Sequence, residues 1–548
     1  MWMSLFESGT GEYGVTMKPS TREFDTTLPP KMSRSSHGPQ RILTLTVISH
    51  PRAVRVGDCA PLFSLDQAMP QALSRVEPSF VQPGQLVGEP LADPFLSREP
   101  IRVEGNGGQG VIVERGHNKS SVVVGGRPLS QRLELSMREL EQGVEIALAD
   151  RVVLMLHWST GRKPLRKSHF DLVGFSDAML ELREEIAKVA DLDTPVLLRG
   201  QTGTGKELVA RAIHQMGCGN KPFISINMGA IPPSLAASEL FGAVKGSFTG
   251  SERHQSGYFR AAEGGTIFLD EIGEATPEIQ VMLLRALETG EIYPVGAPAP
   301  YRIDTRVIAA TDADLQHRIQ EGSFKAPLFH RLAGYEIELP PLQARREDFG
   351  RLFYHFAAKE LAASGESYKL EPVDPREAPW FPPELVVRLL RYSWPGNIRQ
   401  LRNTVRQLVI GCRGEPALRM VANIKAMLAE EVAVTVAPEG GAPSRVKPAK
   451  RKPADIQVEE LVSTMRAHQW NVKSTAASLG ISRAALYLLI EKIPQIRKAA
   501  DLSQKEIEAA LAAHGNDPEA AAQALEVSIY ALRRRMNDLG VSFTEPSP

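Results

Sequence analysis

The sequence predicts a multidomain chain: an N-terminal β-sandwich, a central α/β P-loop domain and C-terminal all-α helix-turn-helix units. Three observations carry this reading. Short β-type runs separated by glycine turns fill residues 41–158. A glycine-rich string, Gly200-Gln201-Thr202-Gly203-Thr204-Gly205-Lys206-Glu207, stands between an apolar run (Val196-Leu197-Leu198) and a helical pattern. The C-terminal end repeats itself at a spacing of 46 residues. At 548 residues the chain is also too long for a single core.

Residues 1–40 are rich in Ser, Thr, Gly and Pro and are expected to be disordered. Across 41–160, the runs Leu43–Val47, Ile101–Val103, Val111–Val113, Val122–Val124 and Val152–Met155 alternate with glycine turns, which predicts the sandwich. In the P-loop string, glycines at 200, 203 and 205 let the backbone wrap an anion, and successive amides point at phosphate oxygens. The following helix N-terminus adds partial positive charge and Lys206 a full one. Glu207 stands where Ser or Thr usually offers magnesium a hydroxyl. A second apolar strand, Thr266-Ile267-Phe268-Leu269, ends in Asp270-Glu271. Asp270 is placed to hold Mg2+, directly or through water, and Glu271 to polarise the attacking water. An isolated Asp-Glu would read as a solvated strand end, but a P-loop upstream in a βα pattern makes the pair part of a triphosphate site.

Residues 431–456, with four prolines, two glycines and several lysines, predict a flexible basic linker. Two similar units follow, 457–495 and 503–541. Ala467-His468 recurs as Ala513-His514, Ile481-Ser482 as Val527-Ser528, Leu486 as Leu532 and Ile493 as Leu539, each pair 46 apart. Each unit reads as a helix, a short Ala-rich helix, a turn and a third helix. The second turn carries Glu526 where the first has Gly480. The last helix of the second unit holds Arg533-Arg534-Arg535, where the first has Tyr487-Leu488-Leu489. Long cations on a groove-facing helix neutralise phosphates and bond guanine. The plainer reading, small bundles that only dimerise, stays open at this stage.

Composition restricts the setting. Acidic and basic side chains balance at 64 each, so global charge does not argue for or against nucleic acid. The three cysteines (Cys59, Cys218, Cys412) lack disulfide or metal-ligand spacing, as suits a reducing cytoplasm. No stretch approaches the roughly 18 apolar residues of a membrane span, and the N-terminus lacks a signal-peptide core. A cytoplasmic protein with no membrane partner is expected.

Between the two nucleotide motifs lies Ser238-Glu239-Leu240-Phe241-Gly242-Ala243-Val244-Lys245-Gly246-Ser247-Phe248-Thr249-Gly250-Ser251. Physics alone favours a hairpin whose Phe248 tucks into the core. The string, however, resembles the sigma-54-contacting loop of the bacterial enhancer-binding proteins, a branch of the AAA+ ATPases, with Ser247 and Ser251 where that loop has alanines. The resemblance runs from about Leu172 to Cys412 and implies an AAA+ domain over 170–412 with an α-helical lid over about 343–412. It implies ATP as the nucleotide, and Gly246, Ser247, Phe248, Thr249 and Gly250 as the sigma-54 contact. Asn227 matches the residue that restrains Glu271. Thr311 and Asp312 match the γ-phosphate sensor, with Asp312 in place of the family's Asn. Arg331 matches an arginine finger that acts on the neighbouring subunit, while Lys325 replaces the family's other arginine and loses its planar fork. Trp394-Pro395-Gly396-Asn397-Ile398-Arg399 matches the lid motif, with Arg399 as second sensor.

The first C-terminal unit is similar to the Fis-type DNA-binding module, with Ser482, Arg483 and Tyr487 as DNA-contact candidates beside Arg533, Arg534 and Arg535 of the second. The N-terminal segment resembles a forkhead-associated domain through Gly88, Ser97-Arg98, Asn118 and Gly125-Gly126-Arg127-Pro128-Leu129. That likeness implies a phosphothreonine site of Ser97, Arg98 and Asn118. Glu89 and Pro100 depart from the pattern, and a carboxylate beside a phosphate pocket repels its ligand. The alternative is a protein-interaction module that gates the ATPase. No acidic receiver-type pocket precedes the P-loop, so direct control by a histidine kinase is not expected. Together the resemblances imply a transcription activator whose partners are sigma-54 RNA polymerase holoenzyme, double-stranded DNA, a phosphoprotein or other protein at the N-terminal domain, and its own copies in a ring, a hexamer. The rival is a nucleotide-switched DNA-binding regulator with weak or no ATPase activity and no sigma-54 contact.

Overall fold

The computed structural model describes residues 41–64, 69–162, 171–246, 255–435 and most of 456–490 and 501–539. It divides into two compact units, Met1–Val436 and Ala437–Pro548. The expected disordered segment 1–40 and most of the linker lie outside the described residues. No helix among those described is long and apolar enough to cross a membrane.

The first unit opens with two antiparallel sheets. Strands β1 (Ile42–Ser49), β2 (Cys59–Ser64), β6 (Val122–Val124), β7 (Arg127–Pro128), β9 (Val144–Leu148) and β10 (Val152–Ser159) form one, in the order β2-β1-β10-β9-β6-β7. Strands β3 (Gln71–Leu73), β4 (Ile101–Gly105), β5 (Gly110–Glu114) and β8 (Arg132–Ser136) form the other, in chain order. A short helix α1 (Met137–Gln142), held by a capping box of Ser136 and Glu139, joins β8 to β9. Both sheets contribute to one apolar core. Alternate side chains of a strand point to opposite faces, and the larger sheet uses both of its faces. Val152, Leu154 and Leu156 of β10 enter the shared core, while Val153 and Met155 join a different cluster built on helices further down the chain. Leu43, Leu45 and Val47 of β1 face the shared core and Ile48 the helices.

Those helices belong to the second half of the same unit. Here α2 (Asp177–Val189), β11 (Val196–Arg199), α3 (Lys206–Cys218), β12 (Phe223–Asn227), α4 (Pro233–Phe241), α5 (Tyr258–Ala261), β13 (Thr266–Asp270) and α6 (Pro277–Thr289) alternate. A small hairpin, β14 (Glu291–Ile292) and β15 (Tyr301–Arg302), then leads to β16 (Arg306–Thr311), α7 (Leu315–Gln320), α8 (Ala326–Leu332) and β17 (Tyr335–Glu338). The five long strands form a parallel sheet in the order β12-β13-β16-β11-β17. Thr276 caps α6 and Gly290 ends it in the left-handed region. A helical subdomain follows: α9 (Phe349–Ser364), α10 (Pro383–Arg391), α11 (Asn397–Gly411) and α12 (Ala422–Thr435). The lid expected to end at 412 therefore continues to 435, and the expected linker begins within α12. Ile424, Met427 and Leu428 pack into the lid's apolar cluster, which is why the helix forms there.

The sheet pair and the lid share that cluster. Ile48, Ala147, Val153 and Met155 pack with Phe349, Phe353, Trp380 and Phe381. The approach is close: a Cβ on Gly350 would collide with the Ile48 carbonyl. Polar groups fix the register. Buried Arg151 pairs with buried Asp93 at 2.9 Å and donates to the carbonyls of Pro375 and Glu377 at 2.7 and 2.8 Å. Arg391 grips Glu145, with Nε to Oε1 at 2.9 Å, and Ser49 bonds Tyr354 at 3.0 Å. Asp348 accepts from the Phe175 amide (2.6 Å), the Ser176 amide (3.1 Å) and the Ser176 hydroxyl (2.6 Å). Beside it, Glu347 lines a cavity of about 270 Å³ between the sheets and α2. Burial first, and Asp348 second, push the Glu347 carboxyl up to about 8.

The second unit holds α13 (Val458–Ala467), α14 (Val472–Leu479), α15 (Gln504–Ala513), α16 (Pro518–Ala524) and α17 (Ile529–Leu539).

Two predictions concern the seam. Arg151→Ala leaves Asp93 buried without its partner and should cost about 3–5 kcal/mol in urea unfolding of the full chain. Glu347 stays protonated in the folded state while the unfolded chain ionises, so its contribution is fully present below its ordinary value of about 4.5 and is lost as pH rises towards about 8. Glu347→Gln should therefore raise the thermal midpoint most above pH 8 and least at pH 4.5.

Candidate nucleotide site

All strands of the parallel sheet end on one edge, and register brings the motifs together there. Arg199, the last residue before the P-loop, lies opposite Thr311, and Asn227 lies opposite Asp270. In an open α/β sheet this carboxyl edge is where ligands bind. The P-loop glycines take the conformations the wrap requires: Gly203 has φ +78 and Gly205 φ +103. Thr204 is buried and its hydroxyl donates to the Gln201 carbonyl at 2.8 Å, which closes the turn. Lys206 Nζ donates to the Gly200 carbonyl at 2.8 Å. Burial lowers the Lys206 pKa, against the opposing pull of Asp312, then Asp270, then Glu271. All three carboxylates therefore act on the P-loop lysine.

Asp270 is half-buried at the end of β13, and burial raises its pKa. Its Oδ1 accepts from the Glu271 amide at 3.0 Å. Glu271 sits at φ +55, a left-handed conformation that costs a non-glycine residue about 1–3 kcal/mol and recurs at functional sites. The Glu271 carboxylate and the Asn227 amide oxygen lie over one backbone position: a Cβ on Gly229 would meet Glu271 Oε2 at 2.6 Å and Asn227 Oδ1 at 3.3 Å. Gly229 was not legible as a site residue, yet it makes the space in which the two side chains meet. Thr311 is buried and accepts from the Ala313 amide at 3.0 Å, whereas Asp312 is exposed. Glu207 is exposed and paired to Arg211 one turn on, at 2.8 Å.

The lid closes on the loop from the other side. The Gly203 carbonyl accepts the amides of Ile398 (3.0 Å) and Arg399 (3.3 Å). The Arg399 guanidinium is exposed and stands 3.5 Å from the Thr202 hydroxyl. Fully buried Asn397, at φ +49, donates to Gln201 Oε1 and the Thr202 carbonyl at 3.1 Å each, and accepts the Leu342 amide at 2.8 Å. Sequence reasoning placed Asn397 only within the lid motif and missed it as a clamp. It also missed a cavity of about 240 Å³ beside the P-loop, lined by Leu172, Val173, Leu208, Leu339, Ile398 and Arg402 among others. Its apolar walls and position suit a flat base whose phosphates enter the loop.

Other expected residues lie apart from this centre. Arg331 is exposed on α8, where its Nε donates to the Leu287 carbonyl at 3.0 Å. Lys325 is exposed at the N-cap of α8, its amide bonded to Gln280. Of the expected sigma-54 loop, Gly246 is exposed at φ +83, and Ser247, Phe248, Thr249 and Gly250 lie outside the described residues. The stem of that loop is fixed: Ala243 and Gln255 exchange two backbone bonds, and the Val244 amide donates to Val295. Ser482, Arg483 and Tyr487 also lie outside the described residues, while Arg533 and Arg534 are exposed. In the N-terminal sheets, Ser97 and Asn118 converge on Ser120. The Ser97 amide donates to Ser120 Oγ, and Asn118 Oδ1 accepts the Ser120 amide. The Asn118 amide nitrogen donates to the Glu99 carbonyl at 2.7 Å, so both ends of that side chain serve the turn. Arg98 is exposed.

Comparison with known proteins follows the same division. The sigma-54 interaction domain family matches residues 172–338, the AAA+ ATPase lid domain family residues 343–431, and the bacterial regulatory protein Fis family residues 452–492. The DNA-binding transcriptional regulator NtrC of Klebsiella pneumoniae is 42% identical over 281 residues, 50% of this chain and 57% of that protein. The chain thus spans little more than half the length of these NtrC relatives. The transcriptional regulatory protein ZraR of Escherichia coli is 38% identical over 320 residues, 58% of this chain and 68% of that protein. A crystal structure of NtrX from Brucella abortus in complex with ATP is 32% identical, covers 59% of this chain and 69% of that one, and superposes with a TM-score of 0.42. With its sigma-54 interaction domain, lid and Fis-family segment matched in order, and two thirds of ZraR covered, the chain belongs to the bacterial enhancer-binding proteins, the sigma-54-interacting branch of the AAA+ ATPases.

Proposed function

We propose that this protein is a sigma-54-dependent transcription activator that couples ATP hydrolysis to remodelling of the closed RNA polymerase complex, held to DNA by its C-terminal helix-turn-helix. The observation that carries this reading is the convergence of Lys206, Asp270, Glu271 and Thr311 on one sheet edge, with Asn397 and Arg399 fastening the lid to the P-loop. The P-loop amides and Lys206 hold the triphosphate, and Glu271 orients the attacking water while Asn227 lies against it. Asp270 fits a magnesium ion: it is a half-buried carboxylate next to the phosphate loop, whereas Glu207 is tied to Arg211. Magnesium supplies charge neutralisation on the phosphate oxygens. Arg331 faces solvent on its own subunit, which suits a finger that serves a neighbour's site in a ring, taken here as a hexamer.

The loop Gly246–Gly250 engages sigma-54, and its pinned stem transmits changes at Glu271 and Asn227 to Phe248. In this reading the AAA+ and lid region ends at 435. The N-terminal sheets form a sandwich of the forkhead-associated type that serves as a protein-interaction module gating the lid. Phosphothreonine capture is the less favoured role, because both ends of the Asn118 amide already serve the turn.

One observation favours the rival, a nucleotide-switched regulator with weak hydrolysis. Asp312 is the carboxylate that acts most strongly on Lys206, and a carboxylate there opposes the γ-phosphate.

Two measurements separate these readings. ATP turnover of the full chain should rise in specific activity with protein concentration, and Arg331→Ala should lower it by about 10³–10⁵ while ATP still binds. Turnover at background in the unchanged chain, with ATP bound, would establish the switch instead. Phe248→Ala should leave turnover intact and abolish open-complex formation with sigma-54 holoenzyme; normal open-complex formation by that variant would rule out the loop assignment.

A further inference from the structure

We propose that residues 501–539 are a second DNA-reading module, which takes duplex DNA on the exposed face of α17 through Arg533 and Arg534. The proposal rests on the DNA-tethered reading above and goes beyond it, since the Fis-family match covers only 452–492.

The described residues support a duplicated unit in the first two helices, the turn and the core. Displacing α13 (Val458–Ala467) by 46 residues gives α15 (Gln504–Ala513), and α14 and α16 begin 46 apart, at Val472 and Pro518. The cores correspond in the same way. Leu461, Met465, Ala476 and Leu486 are buried in the first unit, and Ile507, Leu511, Ala522 and Leu532 in the second. The turn is the decisive position. Gly480 sits at φ +69 and Glu526, its counterpart, at φ +55, so the second unit keeps the left-handed turn between its second and third helices without a glycine. Side chains rarely adopt that conformation, and here the Glu526 carboxylate is held by Arg466 of the first unit at 2.7 Å. The two modules are thereby joined by an ion pair as well as by the chain.

The arginine triplet then divides by its geometry. Leu532 and Met536 turn α17 inward, so Arg533 and Arg534 face solvent. Arg535 instead donates its Nε to the Leu502 carbonyl at 3.1 Å and closes the unit on itself. Two adjacent outward guanidinium groups on the third helix of a copied regulatory unit form the charged surface that duplex phosphates and guanine edges take.

The test is binding of the full chain to a fluorescein-labelled duplex of random sequence, followed by anisotropy across a salt series. Each phosphate contact contributes about 0.9 to the slope of log affinity against log salt. The Arg533→Ala/Arg534→Ala double variant should lower that slope by about 0.9–1.8 and weaken binding at least about fivefold. The double lysine variant should restore the slope, and circular dichroism should show unchanged helix in both. An unchanged slope and affinity in the double alanine variant, with Arg483→Ala lowering both, would overturn the proposal and leave the second unit a spacer. Failure of the unchanged chain to bind the duplex would overturn the tether reading itself.

Discussion

The nucleotide site depends on how closely the lid turn approaches the P-loop. A Cβ on Gly203 would run into the Gly396 carbonyl, and the Gly203 carbonyl accepts two lid amides. Such contact between two backbones requires glycine on the loop side. On the lid side it requires a residue in a left-handed conformation whose side chain satisfies the polar groups trapped in between, and Asn397 does both. Once this join is made, Arg399 stands beside Thr202, and the cavity below is walled by both subdomains. The positions of Asp270, Glu271 and Thr311 depend on the sheet alone; the rest of the site depends on this join.

The N-terminal sheets belong to the same mechanical unit. Their outer face supplies Ile48, Val153 and Met155 to the lid core, and buried Arg151 crosses the seam to carbonyls at 375 and 377. A buried charge that is paired and fully bonded is expensive to break and gives the docking a defined register. A lid that moves with the nucleotide state moves against or together with this face. A ligand on the sheets can reach the lid through this seam, which contains Glu145 and Arg391, and α2 through the end of β10, where Thr160 and Ser159 bond Asp177.

Much of this was legible in the chain. The P-loop and the Asp270-Glu271 strand end follow from glycine spacing and apolar runs, and the repeat at 46 follows from simple alignment of the sequence with itself. The unreadable parts share a physical cause: each depends on contacts between residues distant in sequence. Gly229 matters because the side chain that ends β12 and the one just past β13 meet over it. Asn397 matters because Gln201 and Leu342 reach it from elsewhere. The extension of the lid to Thr435 depends on an apolar surface that no local pattern in 422–435 announces, since its apolar residues lack a single well-defined face. One signal was present but not used. The run Val152-Val153-Leu154-Met155 lacks the alternation of a strand with one wet face, and it reports a sheet covered on both sides.

The shared cluster also bears on how such regulators can be rearranged. Removing residues 41–160 would not simply release the nucleotide domain and its lid from a neighbouring domain. It would uncover Phe349, Phe353 and Trp380 on a face that the chain never presents to water. Any domain put in its place would inherit that face. In this chain the N-terminal sheets are a structural part of the lid core, and exchanging them means supplying a complementary apolar surface.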